Sequence, residues 1–578
     1  MTVAELLAGY RDGSLDPQEV VARADERARQ AGRAWFSLVA WSEFQARLAA
    51  LREGPARELA RYGVPLAVKD NIDVAGTPTT AACPAYAYVP QESAFVVSRL
   101  IEAGAIPIGK TNMDQFATGL TGTRTPHGAC ASVVDGRYIS GGSSSGSAVA
   151  VADGSVPFAL GTDTAGSGRV PAAFNGIVGM KPSPGLLSMR GVVPACRSLD
   201  CVSLLTGDVA DAAAVLDVIA GYDEADPFSR ELPARAVTAA APRIAVPHPQ
   251  QMEFCGDDGA RRAWERARAR AASMGWQLVE VDYEPFAQAA RLLYGGPWPA
   301  ERYHAFGAFL AAHPDEVDPV VRDIVLPARD LTAASAFDAM HRLAGLRRQS
   351  EATFVDADAL LLPTTPTIFT PEQIAEQPVA RNALLGTYTN FVNLLDLCAI
   401  AVPGGAREDG LPFGVSLIAP AGADRALLEL AADWRGEQVP AASPAAPETV
   451  ALAVVGAHLS GEPLNGRLVA HGARLVQTTT TAPGYRLYEL PGSEPAKPGL
   501  VGGGPADGPG IEVEVWELGV AAFGRFVAAV TAPLVIGTVA LADGSAVKGF
   551  LCETDALVGA REITAFGGWR SYRSSLVP

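Results

Sequence analysis

SGGSSSGSA (residues 140–148), the apolar run AVAVA (148–152) and VPFALGTDTAGSGRVPAAFNGIVGMKP (156–182) decide how this chain is read. Five of residues 140–148 are serine and the other four are glycine or alanine, so the backbone can take unusual dihedrals and approach a ligand closely. Gly/Ser runs are also common linkers. A linker, however, does not lead at once into an apolar run and then into VPFALG, which has the unbroken hydrophobicity of a buried strand and ends in a second glycine-rich turn.

Outward from this centre, short apolar runs bounded by Gly and Pro recur: PLAVKD, AIPIGK, RIAVP, WQLVEVDY and ALLLPTTP, with helical stretches such as GARRAWERARARAASMG between some of them. That alternation predicts an α/β domain with a mostly buried sheet. Near the start, Asp16, Pro17 and Glu19 supply an N-cap, a proline at the first helical position and an N3 carboxylate for the helix that follows.

Composition changes after Trp434. GEQVPAASPAAPE (436–448) has neither helical nor strand periodicity and reads as a linker between a domain at 1–435 and a second at 449–578. The second is strand-rich, with TVALAVVGAHL, RLVAHGARLVQTT, YRLYEL, IEVEVWEL, LVIGTVAL and AVKGFLCE read as strands and KPGLVGGGPADGPG (497–510) as a flexible loop.

With 578 residues and 48% hydrophobic composition, the chain can bury more than one core. Its formal charge of −17 excludes a nucleic-acid surface, although a local arginine can still hold a small anion. Seven scattered cysteines without C-x-x-C spacing suit a reducing compartment. No basic leader precedes an apolar core and no uncharged run reaches membrane-spanning length, so a cytoplasmic location is expected, with no membrane partner. There is no H-E-x-x-H, Walker loop or dinucleotide fingerprint, and no metal or cofactor is expected.

GGSSSGSA followed by GTDTAGSGRVPAAFNGIVGMKP, with PLAVKDNIDVAGTPTT (65–80) upstream, resembles the amidase signature family. The resemblance implies a mixed central sheet flanked by helices and a Ser-Ser-Lys triad: Ser167 the nucleophile, Ser143 a bridging serine on a cis peptide, and Lys69 the base. It also implies an oxyanion hole from the backbone of Thr164, Ala165 and Gly166. The chemistry is coherent, because a serine hydroxyl needs a neighbouring base and a lysine becomes one only where burial lowers its pKa. Gly142-Ser-Ser-Ser-Gly146 also fits G-x-S-x-G, which would make Ser144 the nucleophile of an α/β-hydrolase. The poor strand before it and the lack of a histidine motif count against that reading.

LLYGGPWPAERYHAF (292–306) resembles the substrate-recognition segment of allophanate hydrolases, which implies that Tyr294 and Arg302 hold a substrate carboxylate, with Gly119 also at the substrate. VVGAHLSGEPLN, TTTAPGYRLYELPG and AFGGWRSY resemble the C-terminal domain appended to those enzymes, itself similar to gamma-glutamylcyclotransferase-like folds. The implied activity is hydrolysis of allophanate to ammonia and carbon dioxide through N-carboxycarbamate, with His458 the candidate in the second domain and Thr480 and Tyr485 as neighbours. The implied assembly is a homodimer with a functional link to a biotin-dependent urea carboxylase. The rival readings are a general amidase, a glutaminyl-tRNA amidotransferase A-type subunit, or a non-catalytic binding protein on the same scaffold.

Overall fold

The computed structural model describes residues 1–52, 59–235, 241–440, 449–492 and 494–576. The chain divides into two compact units, Met1–Ala442 and Ser443–Pro578.

The first unit is built on an eleven-stranded sheet. In chain order its strands are β1 Trp35–Leu38, β2 Pro65–Lys69, β3 Ile106–Thr111, β4 Phe158–Asp163, β5 Val178–Lys181, β6 Cys201–Thr206, β7 Arg243–Pro247, β8 Gln277–Val281, β9 Ala359–Pro363, β10 Leu397–Ala406 and β11 Pro412–Pro420. Across the sheet they run β1-β3-β2-β4-β6-β5-β10-β11-β9-β7-β8. β3, β2 and β4 are mutually parallel, β6 runs antiparallel to β4, and β7 lies parallel to both β8 and β9, so the sheet is mixed. All six apolar runs singled out in the sequence as α/β punctuation are strands here.

In β2 and β4 the pleat separates large from small residues. Leu66, Val68, Phe158 and Leu160 join the apolar layer on one face, while Ala67 and Ala159 face the helix Ser145–Ala152 on the other. Small residues there let the helix, whose first turn is Ser-Gly-Ser-Ala, settle close to the sheet. The serine-rich segment is therefore packed structure: Ser143, Ser144, Ser145 and Ser147 are all fully buried.

The tail of the first unit differs from expectation. Within the expected linker, Glu437 accepts the Val209 N–H at 2.8 Å and Val439 packs on the main core, so residues 436–440 belong to the first unit. The remainder, 441–448, lies outside the described residues.

The second unit has a five-stranded sheet of order β13-β16-β12-β18-β17 and a three-stranded one of order β15-β14-β19. The strands are β12 Thr449–Val454, β13 Arg474–Thr480, β14 Tyr485–Glu489, β15 Pro498–Gly502, β16 Glu512–Gly519, β17 Leu534–Ala540, β18 Ala546–Cys552 and β19 Arg561–Glu562. Two local readings are corrected. Residues 467–470 close a short helix, Asn465–Ala470, with Leu468 buried beneath it, and the strand starts only after the Gly472 turn. Part of the supposed loop 497–510 is β15, which pairs with β14 because Leu500 and Val501 have apolar cores to enter.

Candidate active site

Three parallel strands end at one place, as ligand sites in open α/β sheets do. Lys69 is the last residue of β2 and pairs in register with Thr111, the last of β3, while β4 runs alongside to Thr162 and Asp163. Lys69 is completely buried, with its Nζ 2.7 Å from Ser143 Oγ and 2.7 Å from Thr162 Oγ1. Burial drives its pKa down to about 7, against the pull of the Asp114, Asp163 and Asp200 carboxylates; the positive charge of Arg302 adds to the lowering. Near neutrality a large share of Lys69 is thus an amine able to accept a proton.

Ser143 follows a cis peptide bond from Gly142 and precedes the helix Ser145–Ala152. Its carbonyl accepts the Asp114 N–H at 3.2 Å, and Gly142 N donates to Leu120 O at 2.9 Å. A side chain at 142 would collide with the Asp114 carboxylate and the Gly122 backbone, so glycine is required there.

Ser167 sits on the turn after β4, ahead of the helix Arg169–Asn175. Its hydroxyl donates to Gly119 O at 3.4 Å, and its carbonyl accepts the Ser144 N–H at 3.2 Å. Among the described residues no hydrogen bond joins the Ser167 and Ser143 hydroxyls in this state. Ser144 Oγ donates to the Thr162 carbonyl of β4, and no histidine lies among its hydrogen-bond partners, which removes it as a hydrolase nucleophile.

Asp163 organises the turn. Its carboxylate accepts the N–H groups of Gly166 (2.7 Å), Gly168 (3.1 Å) and Arg169 (3.3 Å), and pairs with the Arg169 guanidinium at 2.9 Å. Burial alone would raise its pKa, but Arg169 and the amides outweigh that and hold it below the usual carboxylate range. The Gly166 N–H, expected at the oxyanion hole, donates to Asp163 in this state. Among the described residues, the N–H groups of Thr164, Ala165 and Ser167 have no protein acceptor, and they are the donors left for a developing anion.

Arg302 ends the helix Trp298–Arg302 and is buried. Its Nη1 donates to Thr118 Oγ1 at 3.0 Å, its guanidinium carbon lies 5.8 Å from the Tyr294 ring centre, and its Nη2 is buried without a partner. Gly119, next to Thr118, accepts from Ser167. The expected residues Tyr294, Arg302, Gly119, Lys69, Ser143 and Ser167 thus form one continuous neighbourhood. Thr162, Asp114, Asp163 and Asp200 were not anticipated; the only sequence signal was acidic or hydroxylic residues beside the motif positions.

In the second unit, His458 stacks on Phe550 (centroids 5.1 Å apart) and meets Phe526 edge-on at 5.3 Å. It lines a cavity of about 300 Å³ with Arg467, His471 and Lys497. Burial, then the charges of Arg467 and Lys497, push its pKa down to about 4, so it is neutral at ordinary pH. Thr480 and Tyr485 do not line this cavity; the Tyr485 hydroxyl instead accepts the Ala540 N–H at 2.9 Å. Beside the 455–461 glycine loop lies a buried acid that no sequence pattern marked. Glu514 accepts from the Ser460 N–H and hydroxyl and from Trp516 Nε1, and pairs with Arg570. So many donors hold it as an anion and leave it a poor proton carrier.

Residues 19–428 match the family described as Amidase. The chain belongs to that family. Residues 450–574 match the family described as Allophanate hydrolase C-terminal domain. The allophanate hydrolase of Kluyveromyces lactis, a solved structure, is similar over 100% of this chain and 99% of its own, with TM-score 0.73 and 39% identity. The urea amidolyase of Lachancea kluyveri is 43% identical over 568 residues, which are 93% of this chain and 31% of that protein. This amidase therefore spans about a third of the length of the urea amidolyases it matches. A glutamyl-tRNA(Gln) amidotransferase A-type subunit, from Halobacterium salinarum, is 35% identical over 402 residues, 64% of this chain and 94% of its own.

The Asp163–Arg169 pair gives the first test. Asp163→Ala leaves a buried, unpaired guanidinium and is expected to cost about 3–5 kcal/mol in denaturant unfolding of the first unit. A change within about 0.5 kcal/mol would mean that the pair does not hold the turn.

Proposed function

We propose that this amidase hydrolyses allophanate, urea-1-carboxylate, and that the observation carrying the choice of substrate is the unpartnered Nη2 of buried Arg302 beside the lysine–serine pair. A buried donor left without an acceptor costs about 1–3 kcal/mol, and a substrate carboxylate supplies that acceptor as one half of a guanidinium fork. The end-to-end likeness to an allophanate hydrolase supports the same reading.

Neutral Lys69 takes the proton of Ser143, which takes that of Ser167, and Ser167 Oγ attacks the terminal amide carbon. The amides of Thr164, Ala165 and Ser167 receive the oxyanion. The proton returns through Ser143 to the departing nitrogen, and water then releases the acyl group by the same relay. The balance is allophanate plus water giving N-carboxycarbamate and ammonium. In this reading Ser167 turns from Gly119 O towards Ser143 as substrate enters, which frees that carbonyl for the substrate N–H, and the face of Tyr294 covers the Arg302 contact.

The second unit assists loss of carbon dioxide from the dianionic product. Arg467 and Lys497 around neutral His458 suit a doubly charged ligand, and the negative charge of that ligand would raise the His458 pKa so that the imidazole takes up the proton it hands to the nitrogen. The amidase works in the cytoplasm as a homodimer, in company with a biotin-dependent urea carboxylase. Seven free cysteines support the reducing compartment, and no helix among the described residues is long and apolar enough to cross a membrane. The exposed Phe337 and Met340 on the helix Ala333–Glu351 support self-association, and the urea amidolyase relatives support the carboxylase link.

Ammonia release from allophanate, malonamate, propionamide and glutamine tests the substrate. Allophanate is expected to dominate, Ser167→Ala to abolish release, and Arg302→Ala to lower kcat/KM by about 2–5 kcal/mol, roughly 30-fold to several-thousandfold. Equal turnover of propionamide, with Arg302→Ala silent, removes the allophanate assignment. Since only neutral Lys69 serves as base, kcat/KM is expected to rise with pH through about 7 and to fall on acidification. A flat profile between pH 5 and 8 contradicts the lysine role. His458→Ala is expected to keep the first equivalent of ammonia and slow carbon dioxide evolution; unchanged evolution would leave His458 a structural residue.

A further inference from the structure

Asp200 is buried immediately before β6, one residue ahead of Cys201. β4 and β6 are antiparallel with Asp163 opposite Cys201, so the next residue on each side, Thr164 and Asp200, face each other just beyond the last rung of the ladder. There the Thr164 hydroxyl donates to Asp200 Oδ1, and the N–H groups of Ala195 and Cys196 donate to Oδ2 at 2.8 and 3.0 Å. Burial holds this carboxyl above the usual carboxylate range, and the three donors and nearby Arg302, which favour the ionised form, offset that only in part.

The turn 164–168 is thus held in two halves. Asp163 fixes the second half through Gly166, Gly168 and Arg169. The first half carries the unsatisfied amides of Thr164 and Ala165, and its side-chain anchors are the Asp200 bond to the Thr164 hydroxyl and a 2.7 Å bond from Thr389 Oγ1 to the Ala165 carbonyl. A carboxylate clamp at that end fixes the direction of free N–H groups, and preorganised direction gives an oxyanion hole its worth.

We infer that Asp200 is a positioning residue for amide hydrolysis, acting through the Thr164 side chain to aim the oxyanion turn and through its charge to set the balance between Lys69 and Arg302. It deepens the proposed mechanism and does not depend on which amide is cleaved. The charged groups that face Lys69 are Asp114, Asp163, Asp200 and Arg302; of these, Asp200 is the one tied to the oxyanion turn by a side-chain hydroxyl. Near Asp200 itself lie Arg302 and the buried Cys196 thiol, which Glu301 and burial keep protonated.

The test uses the full-length protein and whichever amide the wild type hydrolyses, so losing the allophanate assignment leaves it intact. Thr164→Val removes the hydroxyl at almost constant shape and is expected to lower kcat about tenfold or more with little change in KM. Thr164→Ser keeps the donor and is expected to restore kcat. Asp200→Asn removes one negative charge that raises the Lys69 pKa, so the acid limb of the kcat/KM profile is expected to move to lower pH. A wild-type kcat in Thr164→Val, a Thr164→Ser variant as impaired as Thr164→Val, or an unmoved acid limb in Asp200→Asn overturns the inference. The limb position is read as pH, not as rate, so partial loss of folded protein does not obscure it.

Discussion

The desolvation of Lys69 is the constraint on which the rest of the site depends. An ammonium with no water around it is expensive, and the protein meets part of that cost by letting the group titrate near neutrality. Had the three neighbouring aspartates been placed closer to Nζ, their attraction would have kept the lysine charged and useless as a base. Instead each is engaged elsewhere: Asp163 with Arg169, Asp114 with the amides of Gly122 and Arg124, Asp200 with Thr164 and two amides. Lys69 is left with hydroxyl partners, Ser143 and Thr162, which can exchange protons with it without fixing its charge.

This arrangement is set by the sheet. A parallel β3-β2-β4 triplet brings three strand ends together, and the antiparallel β6 returns beside β4 to deliver Asp200 against the turn. In β2 and β4 one face carries large aliphatic residues for stability, while the other carries Ala67 and Ala159 so that the serine helix can lie close; β3 adds Ile106 and Ile108 on the helix side. Packing and chemistry are divided between the two faces of the same strands.

Six of the eleven strands of the first unit were legible as short apolar runs bounded by Gly or Pro, most of them with the pattern of a sheet buried on both faces, while β1, β5, β6, β10 and β11 were not singled out. The candidate triad was legible through the resemblance of PLAVKD, GGSSSGSA and GTDTAGSGR, in that order, to the amidase signature family. The partners of Lys69 were not, since Thr162, Asp114 and Asp200 are ordinary residues whose role depends on register and on loops far apart in sequence. Gly166 shows the limit of motif transfer: its position in the turn was readable, but the direction of its N–H was fixed by the Asp163 side chain. In the second unit 467–470 was misread because LVA suits a strand and a helix equally. β15 was missed because three consecutive glycines after Val501 mask two core residues.

In the proposed reading, Arg302 connects specificity with basicity. Unoccupied, its positive charge helps to keep Lys69 neutral and its Nη2 lacks a partner. When an anionic substrate pairs with the guanidinium, the lysine feels less positive charge and its pKa rises, so a smaller neutral fraction is exchanged for a stronger base as the amide arrives. A neutral amide gives no such compensation, and it leaves the buried donor unpaired as well. Charge on the substrate therefore acts twice, once in binding and once on the proton acceptor, through a side chain that need not touch the reacting bond.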